Sequence, residues 1–131
     1  MKDLISRLRA AGIQPTSQRL EIARHVLGSR AHPGAEEVLK AARKRHPTVS
    51  RATVYNTLNL FVGKGLLKAQ SLRDGTLVFD PLVEPHHHFI DDRTGEIHDI
   101  PWEALRVTGH ETLRGFEVRD HQVVLRGRRR R

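Results

Sequence analysis

Residues 50–80, SRATVYNTLNLFVGKGLLKAQSLRDGTLVFD, constrain the fold more than any other part of this chain. Ser50 is suited to cap a helix whose apolar Val54, Leu58, Phe61 and Val62 fall at i, i+4, i+7 and i+8. Gly63 and Gly65 close that helix. Two alternating runs follow, Leu67–Leu72 and Leu77–Phe79, and Asp74–Gly75 between them favours a tight hairpin. A capped helix with a hairpin directly behind it predicts the second half of a winged helix-turn-helix.

The preceding residues predict the first half. Leu4, Ile5 and Leu8 recur at helical spacing before Gly12. Pro15 and Thr16 stand in cap positions ahead of Leu20, Ile22, Ala23, Val26 and Leu27. Gly34 then opens a third segment, with Glu36 and Glu37 in its first turn, Val38, Leu39 and Ala42 inside, and Pro47 as its stop. Residues 1–80 therefore read as a winged-helix DNA-binding domain. PLVEP has two prolines in five residues, so 81–85 reads as a hinge, because proline neither continues a helix nor donates to a ladder.

Beyond the hinge the pattern changes to strands. HHHFID and EIHDI are short β-like runs turning through DDRTG, residues 102–113 are weakly helical, and 115–127 suggest one or two further strands. The expected class is α+β, an N-terminal winged helix-turn-helix domain followed by a small α/β dimerisation domain at 86–131. A unit of that size buries too little surface to be secure alone, so a homodimer is expected.

Charge narrows the partners. Lys and Arg number 23 against 15 acidic residues, a net charge of +8, which points to a polyanion, either nucleic acid or an anionic membrane. No apolar run approaches the roughly 20 residues of a spanning helix, and MKDLISRLRAAG carries charge throughout. The expectation is a soluble cytoplasmic protein with no membrane partner. On the fourth helix Ser50, Arg51, Thr53, Tyr55, Asn56 and Asn59 face outward, a mixture able to meet guanine, adenine and thymine edges. Gln18, Arg19, Lys2, Arg7 and Arg9 are candidates for phosphate contacts. Each alone reads more often as a solvated helix face; the wing, the helix order and the charge together favour double-stranded DNA. The arginines at 128–131 read as a solvated run that adds salt-dependent affinity if DNA lies near.

Cysteine is absent, which excludes disulfides, thiolate zinc sites and cysteine redox chemistry. His, Asp and Glu remain as strong metal ligands, and EPHHHFIDDRTGEIHDIP concentrates them. On a strand His86 and His88 share one face while His87 takes the other. Asp99 from the paired strand and Asp80 at the end of the wing strand could join them. Such donors suit Fe²⁺, Mn²⁺ or Zn²⁺, and more than four of them favour iron or manganese over tetrahedral zinc. Paired surface histidines that bind nothing are the competing reading. A metallohydrolase would also need a general base, for which Glu84, Asp91 or Glu96 could serve, and a substrate cleft that nothing else in the chain suggests. The expectation is a protein that is not an enzyme. A DNA-architectural protein indifferent to metal is a third reading.

HPGAEEV, SRATVYNTLNLF, KGLL, FD, HHHF and TGEIHDI, in this order, resemble the ferric uptake regulator (Fur) superfamily across nearly the whole chain. The resemblance implies a dimeric, metal-dependent repressor of an inverted-repeat operator. It implies a regulatory site of His32, Asp80, His86, His88 and Asp99 holding Fe²⁺ or Mn²⁺, with Zn²⁺ able to occupy the same donors in purified protein. Aspartate at 99, where iron-uptake members tend to carry glutamate, is similar to the peroxide-sensing PerR branch. There, iron reacts with hydrogen peroxide and a ligand histidine is oxidised, which the resemblance places at His32 or His86.

Two departures from the family pattern follow. DDRT at Asp91–Thr94 stands where relatives carry a CxxC pair, and the arginine tail stands where they carry the second, so no structural zinc is expected. A further metal site seen in some members would use His87 and His121, but Pro85 and Arg106 occupy its other positions, so its loss is expected. HHHF and the ending VVLRGRRRR also resemble the Irr type, which makes a haem- or iron-responsive regulator the alternative and haem a further candidate cofactor.

Overall fold

A computed structural model of the protein describes residues 2–73 and 75–130. The chain forms two compact units, one up to Val83 and one from Glu84 onward, so the division falls within PLVEP.

In the first unit α1 (Lys2–Ala10), α2 (Ser17–Val26), α3 (Ala35–Ala42) and α4 (Arg51–Gly63) precede β1 (Lys68–Arg73) and β2 (Thr76–Asp80). Local chemistry sets the helix starts. Thr16 accepts the Arg19 N–H and Ser50 the Thr53 N–H, each satisfying a donor that the first turn leaves open. At α3 the Glu37 carboxylate reaches back to the Gly34 N–H at 3.2 Å. The apolar stripes then meet: Leu8, Ile22, Val26, Val38, Val54, Leu58 and Phe61 are sealed in one core, with Phe79 of β2 against it. Strands β1 and β2 pair antiparallel from Lys68↔Asp80, with an irregularity between Ser71 and Arg73. Gly75, at φ +74°, supplies the left-handed residue of the turn. Asp74, its expected partner, lies outside the described residues, as does Arg131 of the basic tail.

The second unit contains β3 (His87–Asp91), β4 (Ile97–Ile100) and β5 (Val124–Gly127), in the order β4-β3-β5. Strand β3 runs antiparallel to β4 and parallel to β5. Strand β3 is central, and its buried residues are mostly polar: His87, His88 and Asp91 beside Ile90. The Asp91 carboxylate accepts the N–H groups of Arg93 at 2.9 Å and Thr94 at 3.3 Å. These bonds, led by Arg93 and joined by the Arg129 N–H, hold its pKa below the usual carboxylate range despite the opposing effect of burial. The Asp92 N–H reaches the Gly127 carbonyl at 2.8 Å. Residues 91–94 are thus closed by carboxylate and backbone bonds.

The weakly helical reading of 102–113 is corrected to short turns, and the one or two strands expected within 115–127 resolve to one. Residues 102–113 form two 3₁₀ turns, Trp102–Ala104 and His110–Thr112, because Pro101 and Gly109 at φ +89° interrupt a stretch with no apolar stripe to bury. Of 115–127 only Val124–Gly127 is a strand; residues 111–120 are exposed throughout and find no pairing edge. No helix among the described residues is long and apolar enough to cross a membrane.

Candidate metal centre and nucleic-acid interface

Each unit carries part of the expected ligand set. In the first, His32 and Asp80 are both buried, and His32 Nε2 lies 3.2 Å from Asp80 Oδ2. Backbone register produces the approach: the Phe79 N–H donates to the Pro33 carbonyl at 2.9 Å, fastening the RAHP loop beside the last residue of β2. A Cβ on Gly34 would lie 3.3 Å from the Leu77 carbonyl, so the loop sits close against the strand. His32 has φ +54°, in the left-handed region although a proline follows, and preceding a proline disfavours helical geometry of either hand. Backbone in that region costs on the order of 1–3 kcal/mol and persists where its surroundings enforce it. Asp80 divides its oxygens, Oδ1 accepting the Leu82 N–H at 2.9 Å while Oδ2 faces His32.

In the second unit the alternation of side chains extends one residue ahead of β3, to His86. His86 and His88 lie with ring centroids 4.5 Å apart, and Asp99 stands opposite His88 in the β3–β4 register. Asp99 Oδ1 is 3.4 Å from His86 Nε2 and 3.7 Å from His88 Nε2. The far side of each ring fixes its tautomer: His86 Nδ1 donates to the Glu84 carbonyl at 2.7 Å, and His88 Nδ1 to Gln122 Oε1 at 2.9 Å. Both Nε2 atoms therefore present lone pairs, as metal-binding imidazoles held by an outer hydrogen bond do. With metal–ligand bonds of about 2.1 Å, neighbouring donors sit roughly 3.0–3.5 Å apart. The separations at His32–Asp80 and His86–Asp99 fit that spacing, and His88–Asp99 lies slightly outside it.

His87 points to the opposite face. Its Nδ1 accepts the Val123 N–H at 3.0 Å and its Nε2 donates to the Trp102 carbonyl at 3.2 Å, which occupies both nitrogens in the neutral ring. Its ring stacks on Trp102 at 4.6 Å, and Trp102 also meets His121 at 4.8 Å.

The expected DNA-contacting residues fall into two groups, both in the first unit. Gln18, Arg19, Thr53 and Asn56 line one hollow of about 330 Å³, where Arg19 is braced by the Gln14 carbonyl at 3.0 Å. Arg51 and Tyr55 instead converge on Glu36 of α3. Ser50 spends its hydroxyl within the cap, donating to Thr53 Oγ1 at 2.9 Å. Sequence reasoning missed Gln122 and the second role of Glu36. Gln122 acts across 34 residues and leaves no local signal, while Glu36 was legible only as a first-turn acid.

Residues 10–126 match the profile of the Ferric uptake regulator family. The peroxide operon regulator of Bacillus subtilis (strain 168) is 33% identical, over 97% of this chain and 89% of its own length. The peroxide-responsive repressor PerR of Staphylococcus aureus (strain Mu50) is 34% identical, over 97% of this chain and 87% of its own. Among solved structures, the ferric uptake regulator of Pseudomonas aeruginosa with manganese superposes with a TM-score of 0.67 at 31% identity, covering 96% of this chain and 97% of that one. These relatives are regulators rather than enzymes, and they lend the haem-responsive alternative no support. The resemblance read from HPGAEEV through TGEIHDI is borne out: the chain belongs to the ferric uptake regulator family.

Proposed function

We propose that this protein is a metal-dependent transcriptional repressor that releases DNA in response to peroxide, acting as a homodimer on an inverted-repeat operator. The observation that carries the reading is the pair of prepared imidazoles, His86 and His88, whose Nδ1 protons are held by Glu84 and Gln122 while both Nε2 atoms face Asp99. Each of His32, Asp80, His86, His88 and Asp99 offers one ligand atom, and on this reading all five bind a single Fe²⁺ or Mn²⁺. Family membership, the relatives named for peroxide and the solved relative with manganese support it.

Ligands drawn from both sides of residues 81–85 make that segment a hinge whose state depends on occupancy. A dimer reading successive major grooves must hold its two recognition helices about 34 Å apart. If that arrangement completes the ligand set, loading favours it by the same factor by which it favours loading, tenfold for each ~1.4 kcal/mol of differential affinity. Bound ferrous iron would supply the electrons that turn hydrogen peroxide into an oxidant of His32 or His86. The oxidised ring loses its ligand lone pair, and the bias toward the DNA-binding arrangement goes with it.

Mass mapping tests the peroxide step. Iron-loaded protein treated with peroxide is expected to gain one oxygen on a peptide containing His32 or His86, and manganese-loaded protein to remain unmodified there. Oxidation confined to Met1 or Trp102 would contradict sensing.

A further inference from the structure

We propose that Glu36 is a specificity-determining residue for DNA: its carboxylate holds Arg51 and Tyr55 in position for base edges and keeps them from capture by phosphate. The inference rests on the reading of α4 as the helix that enters the groove.

Arg51 and Tyr55 are one turn apart on α4, so their side chains leave the same side of the helix. Both meet a carboxylate from another helix. Arg51 Nε donates to Glu36 Oε2 at 3.0 Å, Arg51 Nη2 to Oε1 at 3.0 Å, and the Tyr55 hydroxyl to Oε2 at 2.8 Å. The two-point fork fixes the plane of the guanidinium as well as its place. Glu36 is the residue for this because Glu37, next to it, is committed to the Gly34 N–H.

The bonds from Arg51 and then Tyr55 hold the Glu36 carboxyl down to about 2, so it is charged at every working pH. With the Nε edge taken, Arg51 keeps its Nη1 hydrogens for guanine O6 or N7. Tyr55 has spent its proton, which leaves its ring for a thymine methyl and an oxygen lone pair for an amino group of adenine or cytosine.

Exposure decides what the cluster is for. The Arg51 and Glu36 side chains are 61% and 57% exposed, and ion pairs that open to solvent contribute little to folding. Its consequence is positional. Released from Glu36, the Arg51 fork would fit a phosphate as well as it fits a carboxylate, turning a base reader into a sequence-blind contact. The negative charge on Glu36 also repels the phosphate backbone, a penalty that the remaining base-edge contacts offset only on a matching sequence.

The test uses the full chain loaded with Mn²⁺, a duplex enriched from a random pool by the wild-type protein, and a shuffled duplex of the same composition. Glu36→Gln is expected to bind the shuffled duplex more tightly, with a salt dependence steeper by about one phosphate contact. The ratio of enriched to shuffled affinity should fall about tenfold, with thermal stability unchanged. In an Arg51→Ala background the same substitution should leave the ratio nearly constant. A discriminating wild type whose ratio survives Glu36→Gln, or an equal loss with and without Arg51, overturns the inference alone. A wild type that enriches no sequence overturns the reading of α4 and the inference together.

Discussion

The two units are held together by different chemistry. The first has a continuous apolar core running from Leu8 through Phe61 to Phe79, the ordinary source of stability for a small domain. The second buries only Ile90 and Ile97 among its large apolar residues, beside His86, His87, His88 and Asp91, and leaves Phe116 75% and Leu113 53% exposed. Buried polar groups contribute specific geometry only while every one of them is satisfied. The contrast teaches that the first unit is self-sufficient and the second is conditional. On the proposed reading it depends on an ion and on a second copy, which is what a sensor requires.

The largest expected effect breaks the symmetry of that comparison. Phe61→Ala should destabilise the first unit by about 3–5 kcal/mol, whereas metal chelation should leave that unit's transition in place. The two units carry separate probes, because every α-helix among the described residues lies in the first and the single tryptophan, Trp102, lies in the second. Far-ultraviolet circular dichroism should follow Phe61→Ala, and tryptophan fluorescence should follow chelation. A single shared transition moving equally in both would remove the distinction.

A smaller effect sharpens the account of the second unit. Gln122→Leu removes the acceptor that orients His88 and should weaken Mn²⁺ binding about 10- to 100-fold while the sheet persists. Unchanged affinity, read by calorimetry, would show that His88 needs no orienting partner.

The smallest effect concerns charge in the first unit. Glu21 is buried, which acts to raise its pKa, yet hydrogen bonds from His25 at 2.7 Å and Arg24 at 3.0 Å outweigh burial and lower it. A carboxyl lowered on folding stabilises above its unfolded pKa, and that contribution is lost as pH falls through the depressed folded value. Glu21→Gln should therefore flatten the acid side of the first unit's stability profile, measured by denaturant midpoints between pH 6 and 2.

Legibility in the sequence followed the same divide. Helices α2, α3 and α4 were readable because cap, apolar stripe and stop agreed at each, and the hairpin because alternation resumed on both sides of its turn. His86, His88 and Asp99 were readable as a group because strand alternation and antiparallel pairing are local rules. The 3₁₀ turns after Pro101 and the irregular course of Phe116–Val123 were not, since short segments without periodicity take their shape from distant neighbours. Gln122 and Val123 acquire their roles only when β5 docks beside β3, and the tie from Glu36 to Arg51 joins two helices whose separate patterns say nothing of each other.

The central claim is that His32 and Asp80 share one ion with His86, His88 and Asp99, and anaerobic Mn²⁺ titration of His32→Ala and His86→Ala beside the wild type tests it most directly. The account predicts one tight ion per wild-type chain, with tight binding lost in both variants. Retention of wild-type affinity in His32→Ala would contradict it, leaving a metal site confined to the second unit.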